Sequence, residues 1–259
     1  MFKGISKKKS DCYVIAEAGL NHNGSIDTAK KLIDVAFNAK ADAVKFQKRT
    51  ISKLAAKSTL EAADTRFPDF GKTYKEIREH LEFDLNQYKE LKIYTESKGL
   101  DFIVTAFDTD AVDFLNELEV DVIKVASHSL TNTDLLEYLA NAKKKTIMST
   151  GMAQLEEVDS AVEIFKKKGS PLLLMHCVSA YPTPLNECNL SMIKNLSERY
   201  SIPIGYSGHE IGWEPSKVAV AMGAKALERH YTLDKKMVGF DHKISLEPNE
   251  LEKMIKEIR

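Results

Sequence analysis

Apolar residues recur along this chain in two alternating rhythms. Short β-branched runs with period-two character are each followed by a longer segment whose apolar residues return every three or four positions. These are the marks of a strand and of an amphipathic helix. The first run is Tyr13–Gly19. Asn23-Gly24 then makes a turn, Ser25 supplies a cap, and Ile26, Ala29, Leu32, Ile33, Ala36 and Phe37 form one helical stripe. Ala43–Lys48 is the second strand, and a long insertion from Arg49 to Phe83 follows it. Asp84 and Gln87 have the spacing of a capping box before Leu85, Tyr88 and Leu91, and Gly99 is the stop.

The rhythm then repeats. Strands are expected at Asp101–Phe107, Val122–Ser127, Lys145–Thr150, Pro171–Cys177, Pro203–His209 and Ala224–Thr232. Helical stripes separate them, with Pro215 and Pro248 at two helix starts and Gly223 at an end. The count is about eight β/α units, the number and size of a TIM barrel. The predicted fold is therefore α/β, a single-domain TIM (β/α)8 barrel over residues 1–259 with an insertion at 49–83. A doubly wound sheet would call for a phosphate fingerprint such as GxGxxG after its first strand, and none is present.

Composition narrows the class only slightly. Of the 259 residues, 43% are hydrophobic and 29% charged, ordinary for a globular enzyme. A net charge of -1 gives no bulk field for nucleic acid. The runs Lys7-Lys8-Lys9 and Lys143-Lys144-Lys145 border strands and read as solvated turns. Three cysteines, Cys12, Cys177 and Cys188, with no CxxC spacing argue against a disulfide framework and fit a reducing cytoplasm. Residues 1–10 lack the apolar segment of a signal peptide, and no apolar run is long enough to span a membrane.

Parity brings out the chemistry. Alternate side chains of a strand face opposite sides, and barrel enzymes react at the C-terminal strand ends. One parity collects Tyr13, Ile15 and Glu17; Ala43, Lys45 and Gln47; Ile103 and Thr105; Lys124; Ile147 and Ser149; Gly205, Ser207 and His209; and Glu228 and His230. Apolar residues lie low and polar ones high. Charges inside a barrel are costly unless paired or bound to a ligand. Glu17, Lys45, Lys124 and Glu228 form either a structural ion network or a site, and the gathering at one end favours a site. Lys45, Lys124 and the hydroxyls of Thr105, Ser127, Ser149 and Ser207 suit a phosphate. A lone histidine beside an apolar run is usually a core residue, but His209 and His230, ending neighbouring strands, suit one divalent metal. Glu17 suits a group that positions or deprotonates water. Cys177 faces inward and reads as lining, because His176 has the wrong parity to activate it.

With these residues placed, the chain resembles the sialic acid synthase family, the N-acetylneuraminate and related nonulosonate synthases. Ile15-Ala16-Glu17-Ala18-Gly19-Leu20-Asn21-His22-Asn23-Gly24 carries the resemblance, with Ala41-Asp42-Ala43-Val44-Lys45-Phe46-Gln47-Lys48, Ser149-Thr150-Gly151-Met152 and Cys177 to Pro182. Gly205 to Glu210, Glu228-Arg229-His230 and Asp241-His242-Lys243 through Pro248 follow in family order. Gly71-Lys72-Thr73-Tyr74 and His80-Leu81-Glu82-Phe83 look like the branch that includes animal enzymes.

The resemblance implies a metal-dependent transferase that condenses phosphoenolpyruvate with an N-acylmannosamine-type aldose and releases phosphate. It implies Mn2+ or Mg2+ on His209 and His230, and Glu17 beside the metal and water. Lys45, Thr105, Lys124, Ser127, Ser149 and Ser207 would form the phosphoenolpyruvate pocket. Gln47, Tyr181 and Asp241 would border the sugar. Glu228 is expected to support a histidine, His22 to approach substrate, and His80 and His128 to be structural. Family members usually continue into a small antifreeze-protein-like domain that reaches across a dimer with an arginine for the sugar's acyl group. This sequence ends at Arg259, so that domain is expected to be absent, and a homodimer or a separate antifreeze-like chain is the expected partner. The insertion Arg49–Phe83, with Arg66 in it, is the place to look for a replacement. Two readings compete: a Schiff-base aldolase using Lys124, and a non-catalytic sugar-binding barrel.

Overall fold

The computed structural model describes residues 12–259. Eight parallel strands close into a barrel in chain order. They are β1 (Tyr13–Gly19), β2 (Ala43–Lys48), β3 (Asp101–Ala106), β4 (Val122–Val125), β5 (Lys145–Ser149), β6 (Leu172–Cys177), β7 (Ile204–Gly208) and β8 (Ala226–His230). β1 closes the ring against β8, with Tyr13 beside Ala226 and Glu17 beside His230. Helices surround it: α1 (Ile26–Asn38), α2 (Ile51–Leu54), α3 (Lys57–Leu60), α4 (Tyr74–His80), α5 (Leu85–Ser97), α6 (Thr109–Glu117), α7 (Thr133–Asn141), α8 (Leu155–Lys168), α9 (Met192–Tyr200), α10 (Glu214–Ala221) and α11 (Pro248–Ile258). The TIM barrel expected from the sequence is the fold. The run Lys7–Lys9 lies outside the described residues.

The helix signals act as the sequence suggests. Ser25 Oγ accepts from the Thr28 N–H at the start of α1. Asp84 and Gln87 cap each other's backbone N–H at the start of α5, and Gly99 follows that helix at φ +76°. Phe37 departs from its expected stripe and is 38% exposed. It sits at the edge of the buried face, where the Lys40 and Lys98 ammonium groups cover its ring at 5.2 and 5.4 Å.

Both strand parities are buried, but against different partners. The outward one packs on the helices through residues such as Val14, Ala16, Val44, Phe46, Val104 and Leu174. The inward one fills the lower barrel with Tyr13, Ile15, Ala43, Ile103, Val122, Ile147, Leu173, Met175 and Ala226. Gly205 belongs to this inner face because a Cβ there would come within 2.7 Å of the Ala226 carbonyl oxygen.

Several strands end earlier than expected. β3 stops before Phe107, β4 before Ser127, β5 before Thr150, β7 before His209 and β8 before Thr232. The chain stays extended past some ladders, as at Ala126 (φ -70°, ψ 157°), so the alternation outlasts the hydrogen bonds. Ser127 therefore opens a short 3-10 turn over Ser127–Ser129 rather than ending a strand. The insertion is ordered. It holds α2, α3 and α4, and Ile77 and Leu81 pack with Leu20, Phe67, Phe70 and Phe240. That small cluster ties the insertion to the loops after β1 and β8 at the mouth of the barrel.

Candidate active site

Strand register stacks the polar residues in the upper barrel. Lys45 lies beside Glu17, which lies beside His230. Thr105 is level with Lys124, and Ser207 with both Cys177 and Glu228. These residues, with Gln47, Ser127, Ser149, Tyr181 and His209, line one cavity of about 230 Å³. The sequence-predicted site residues thus converge there with one exception. Asp241 lines an adjoining space of about 220 Å³, which shares Gln47, Tyr181 and His230 with the first.

The two lysines differ. Lys45 Nζ lies 2.9 Å from Glu17 Oε2 and 3.4 Å from Glu228 Oε1, and donates to Thr105 Oγ1 at 2.9 Å. Burial works to lower its pKa, and the two carboxylates override that and hold it above the usual lysine range. Lys124 makes no ion pair among the described residues. Its Nζ donates to Ser149 Oγ at 2.6 Å and to the Val125 carbonyl at 3.1 Å. Burial, with Lys45 nearby, holds its pKa below the ordinary value although Glu228 opposes the shift. A buried ammonium whose hydrogen-bond partners are all neutral suits an anion. Ser127 adds a hydroxyl whose oxygen accepts from the Gly151 N–H at 3.1 Å. Gly151 allows this packing, since a Cβ would sit 2.3 Å from Ser179 Oγ and 2.8 Å from Ser127 Oγ.

The two histidines stand just past the end of β7 and at the end of β8. Their rings are 5.5 Å apart between centroids, and Tyr181 packs 4.0 Å from the His209 ring. His209 Nδ1 is 3.0 Å from the Val178 carbonyl oxygen. That oxygen only accepts, so Nδ1 carries the hydrogen and Nε2 keeps its lone pair. Burial pulls the His209 pKa down to about 3, so the ring is neutral as a metal ligand must be. His230 Nδ1 and Glu228 Oε2 are buried without hydrogen-bond partners among the described residues. The carboxylate near His230 Nδ1 is Asp241, 3.9 Å away. These orphaned atoms and the free Nε2 fit a divalent cation. Among the described residues no group of three or more His, Cys, Asp and Glu side chains is placed to hold a metal, so substrate or water would complete the shell.

Glu17 Oε1 accepts from Gln47 Nε2 at 2.6 Å. Cys177 faces the cavity as expected, 3.9 Å from His209 Nδ1, and burial pushes its thiol pKa up, which suits lining rather than attack. His176 points the other way, toward the Cys188 carbonyl oxygen at 2.8 Å.

Three expectations need correction. His22 does not approach substrate. It is buried against Phe83, with ring centroids 4.3 Å apart, and its Nδ1 accepts from the Gly24 N–H. His128 is not merely structural: it lines both cavities, because the 3-10 turn after β4 swings it over the mouth. Arg66 stands apart from the site. It is tied to Asp64 and lines neither cavity. Arg49 and Arg78 line the outer space instead. Both follow the strand end or sit on α4, where strand parity carries no signal.

The profile of the NeuB family matches residues 32–259. The chain belongs to the NeuB family. This NeuB-family chain is 41% identical over 253 residues to the N,N'-diacetyllegionaminic acid synthase of Campylobacter jejuni, covering 95% of this chain and 75% of that protein. It is 41% identical over 249 residues to the N-acetylneuraminate-9-phosphate synthase of Homo sapiens, covering 96% and 69%. The crystal structure of N-acetylneuraminic acid (sialic acid) synthetase from Leptospira borgpetersenii in complex with citrate superposes with a TM-score of 0.84 at 39% identity, over 96% of this chain and 83% of that one. No helix among the described residues is long and apolar enough to cross a membrane.

Proposed function

We propose that this chain joins phosphoenolpyruvate to an N-acylmannosamine-type aldose, giving a nine-carbon 2-keto sugar acid and inorganic phosphate. One observation carries the reading. A buried lysine that makes no ion pair among the described residues, ringed by hydroxyls, shares a cavity with two histidines whose ring centroids are 5.5 Å apart. The first suits a phosphate and the second a metal that receives a carbonyl oxygen. The synthases named above match 95% and 96% of this chain at 41% identity.

In this reading Lys124, Ser127, Ser149 and Ser207 hold the phosphate and carboxylate of phosphoenolpyruvate, with Lys45 and Thr105 beside them. His209 and His230 hold the divalent ion, Mn2+ or Mg2+, which when bound polarises the aldehyde oxygen. Gln47, Tyr181 and Asp241 border the sugar. C3 of phosphoenolpyruvate forms the new bond to the aldehyde carbon, whose oxygen takes up a proton. Water adds to C2, with Glu17 placed to orient it and accept its proton. The C2–O bond to phosphorus-bearing oxygen then breaks, phosphate leaves with that electron pair, and the C2 hydroxyl loses its proton to become the ketone. Glu228 supports this set by pairing with Lys45 and accepting from Ser207 Oγ at 3.2 Å.

The barrel is proposed as the catalytic unit, working as a homodimer. Three unpaired cysteines suit a reducing, cytoplasmic setting. Phosphate release should require phosphoenolpyruvate, an aldose and a divalent ion together, and a chelator or His209→Ala should abolish it. Release that survives the chelator would sink the proposal. The lowered pKa of Lys124 favours one rival, a Schiff-base aldolase. Borohydride trapping of substrate on Lys124 would establish that rival, and failure to trap supports the synthase.

A further inference from the structure

The outer cavity differs in character from the inner one. Two guanidinium groups, Arg49 and Arg78, face it across Phe107 and Phe240. Arg49 is buried and stacks on Phe107 with its central carbon 3.9 Å from the ring centroid. Arg78 lies on Phe240 at 4.3 Å. Each keeps a buried nitrogen, Arg49 Nη1 and Arg78 Nε, with no hydrogen-bond partner among the described residues. The carboxylates nearby are otherwise engaged or distant. Glu82 pairs with Lys48 at 3.0 Å and is 3.9 Å from Arg49 Nη1. Asp241 faces His230. Arg78 forms no ion pair among the described residues. Burial and the neighbouring Arg78 both depress the Arg49 pKa, so the two cations stand close enough to repel.

We propose that Arg49 and Arg78 form an anion subsite for a phosphomonoester carried by the aldose at the end away from its aldehyde. The inference rests on the condensation proposed above. The outer cavity meets the inner one at Gln47, Tyr181 and His230. An aldose with its aldehyde at the histidines therefore extends its far end toward the arginines. Planar forks with unused N–H groups match phosphate oxygens, and an anion between them relieves their repulsion. The aromatic faces fix both planes beforehand, so little ordering is needed on binding.

The test compares N-acetylmannosamine with N-acetylmannosamine 6-phosphate, by phosphate release and by calorimetric binding, on the wild type and on Arg78→Gln. The expected result is a kcat/KM and an affinity at least tenfold higher for the phosphorylated aldose (on the order of one charge-assisted contact). Arg78→Gln should shrink both ratios toward one, acting through KM. Turnover of the two aldoses at equal kcat/KM overturns the subsite and leaves the condensation standing. Tighter binding of the phosphorylated aldose that Arg78→Gln removes, without turnover of either, upholds the subsite and sinks the condensation. A preference that survives Arg78→Gln also overturns the subsite.

Discussion

The lower and upper halves of the barrel interior are built by the same strands, on the same parity, with opposite chemistry. Below, Ile15, Ala43, Ile103 and Ile147 pack in one apolar cluster. Above them on those strands stand Glu17, Lys45, Thr105 and Ser149. The lower layer draws stability from apolar burial. The upper layer gives some of that up, since buried charges seldom stabilise relative to well-packed apolar residues. A layer that leaves Lys124 without an ion pair among the described residues, hydrogen-bonded to Ser149 and a backbone carbonyl, is arranged for what it binds.

The comparison breaks most sharply at Lys124. Lys124→Met should lower kcat/KM for phosphoenolpyruvate by about 1,000-fold or more, while Tm stays level or rises. If Tm fell steeply and activity persisted, the upper layer would be structural after all. In the lower layer the pattern should reverse. Ile147→Ala should cost about 2–5 kcal/mol in denaturant unfolding, and the folded fraction should keep its affinity for phosphoenolpyruvate. An unchanged midpoint would mean the lower layer is not the source of stability.

A third, smaller effect concerns His22, which lies outside both interior layers. Burial, with Arg49 nearby, pulls its pKa from 6.5 to about 3. The unfolded chain therefore binds a proton between those values and the folded chain does not. Stability attributable to His22 is complete above pH 6.5 and is lost as pH falls toward about 3. His22→Phe should flatten the decline of Tm with acid over that window. An unaltered pH slope would show that His22 titrates normally.

How much the sequence disclosed follows the same division. Alternation is a property of strands, so Glu17, Lys45, Thr105, Lys124, Ser149, Ser207, His209, Glu228 and His230 could be gathered before any fold was seen, and all line one cavity. The resemblance to a family gave them roles; parity alone gave them a common face. Arg49, Arg78 and His128 were not legible because they come from a strand exit, a helix of the insertion and a 3-10 turn. No period relates such residues to the barrel axis. His22 misled for the same reason: its motif lies in a loop at the mouth, but a turn buries it under Phe83. That Lys124 makes no ion pair among the described residues was likewise invisible, since parity predicted a face and not a contact.

The central claim is that one cavity holds a phosphate over the lysine side and an aldehyde over the histidine side. Phosphoenolpyruvate labelled with 18O in its bridging oxygen tests this most directly, incubated with the chain, an N-acylmannosamine or its 6-phosphate, and a divalent ion. The account predicts that the label leaves in inorganic phosphate, one phosphate for each aldose consumed. Label retained in the keto acid, or phosphate released at the same rate without aldose, would contradict it.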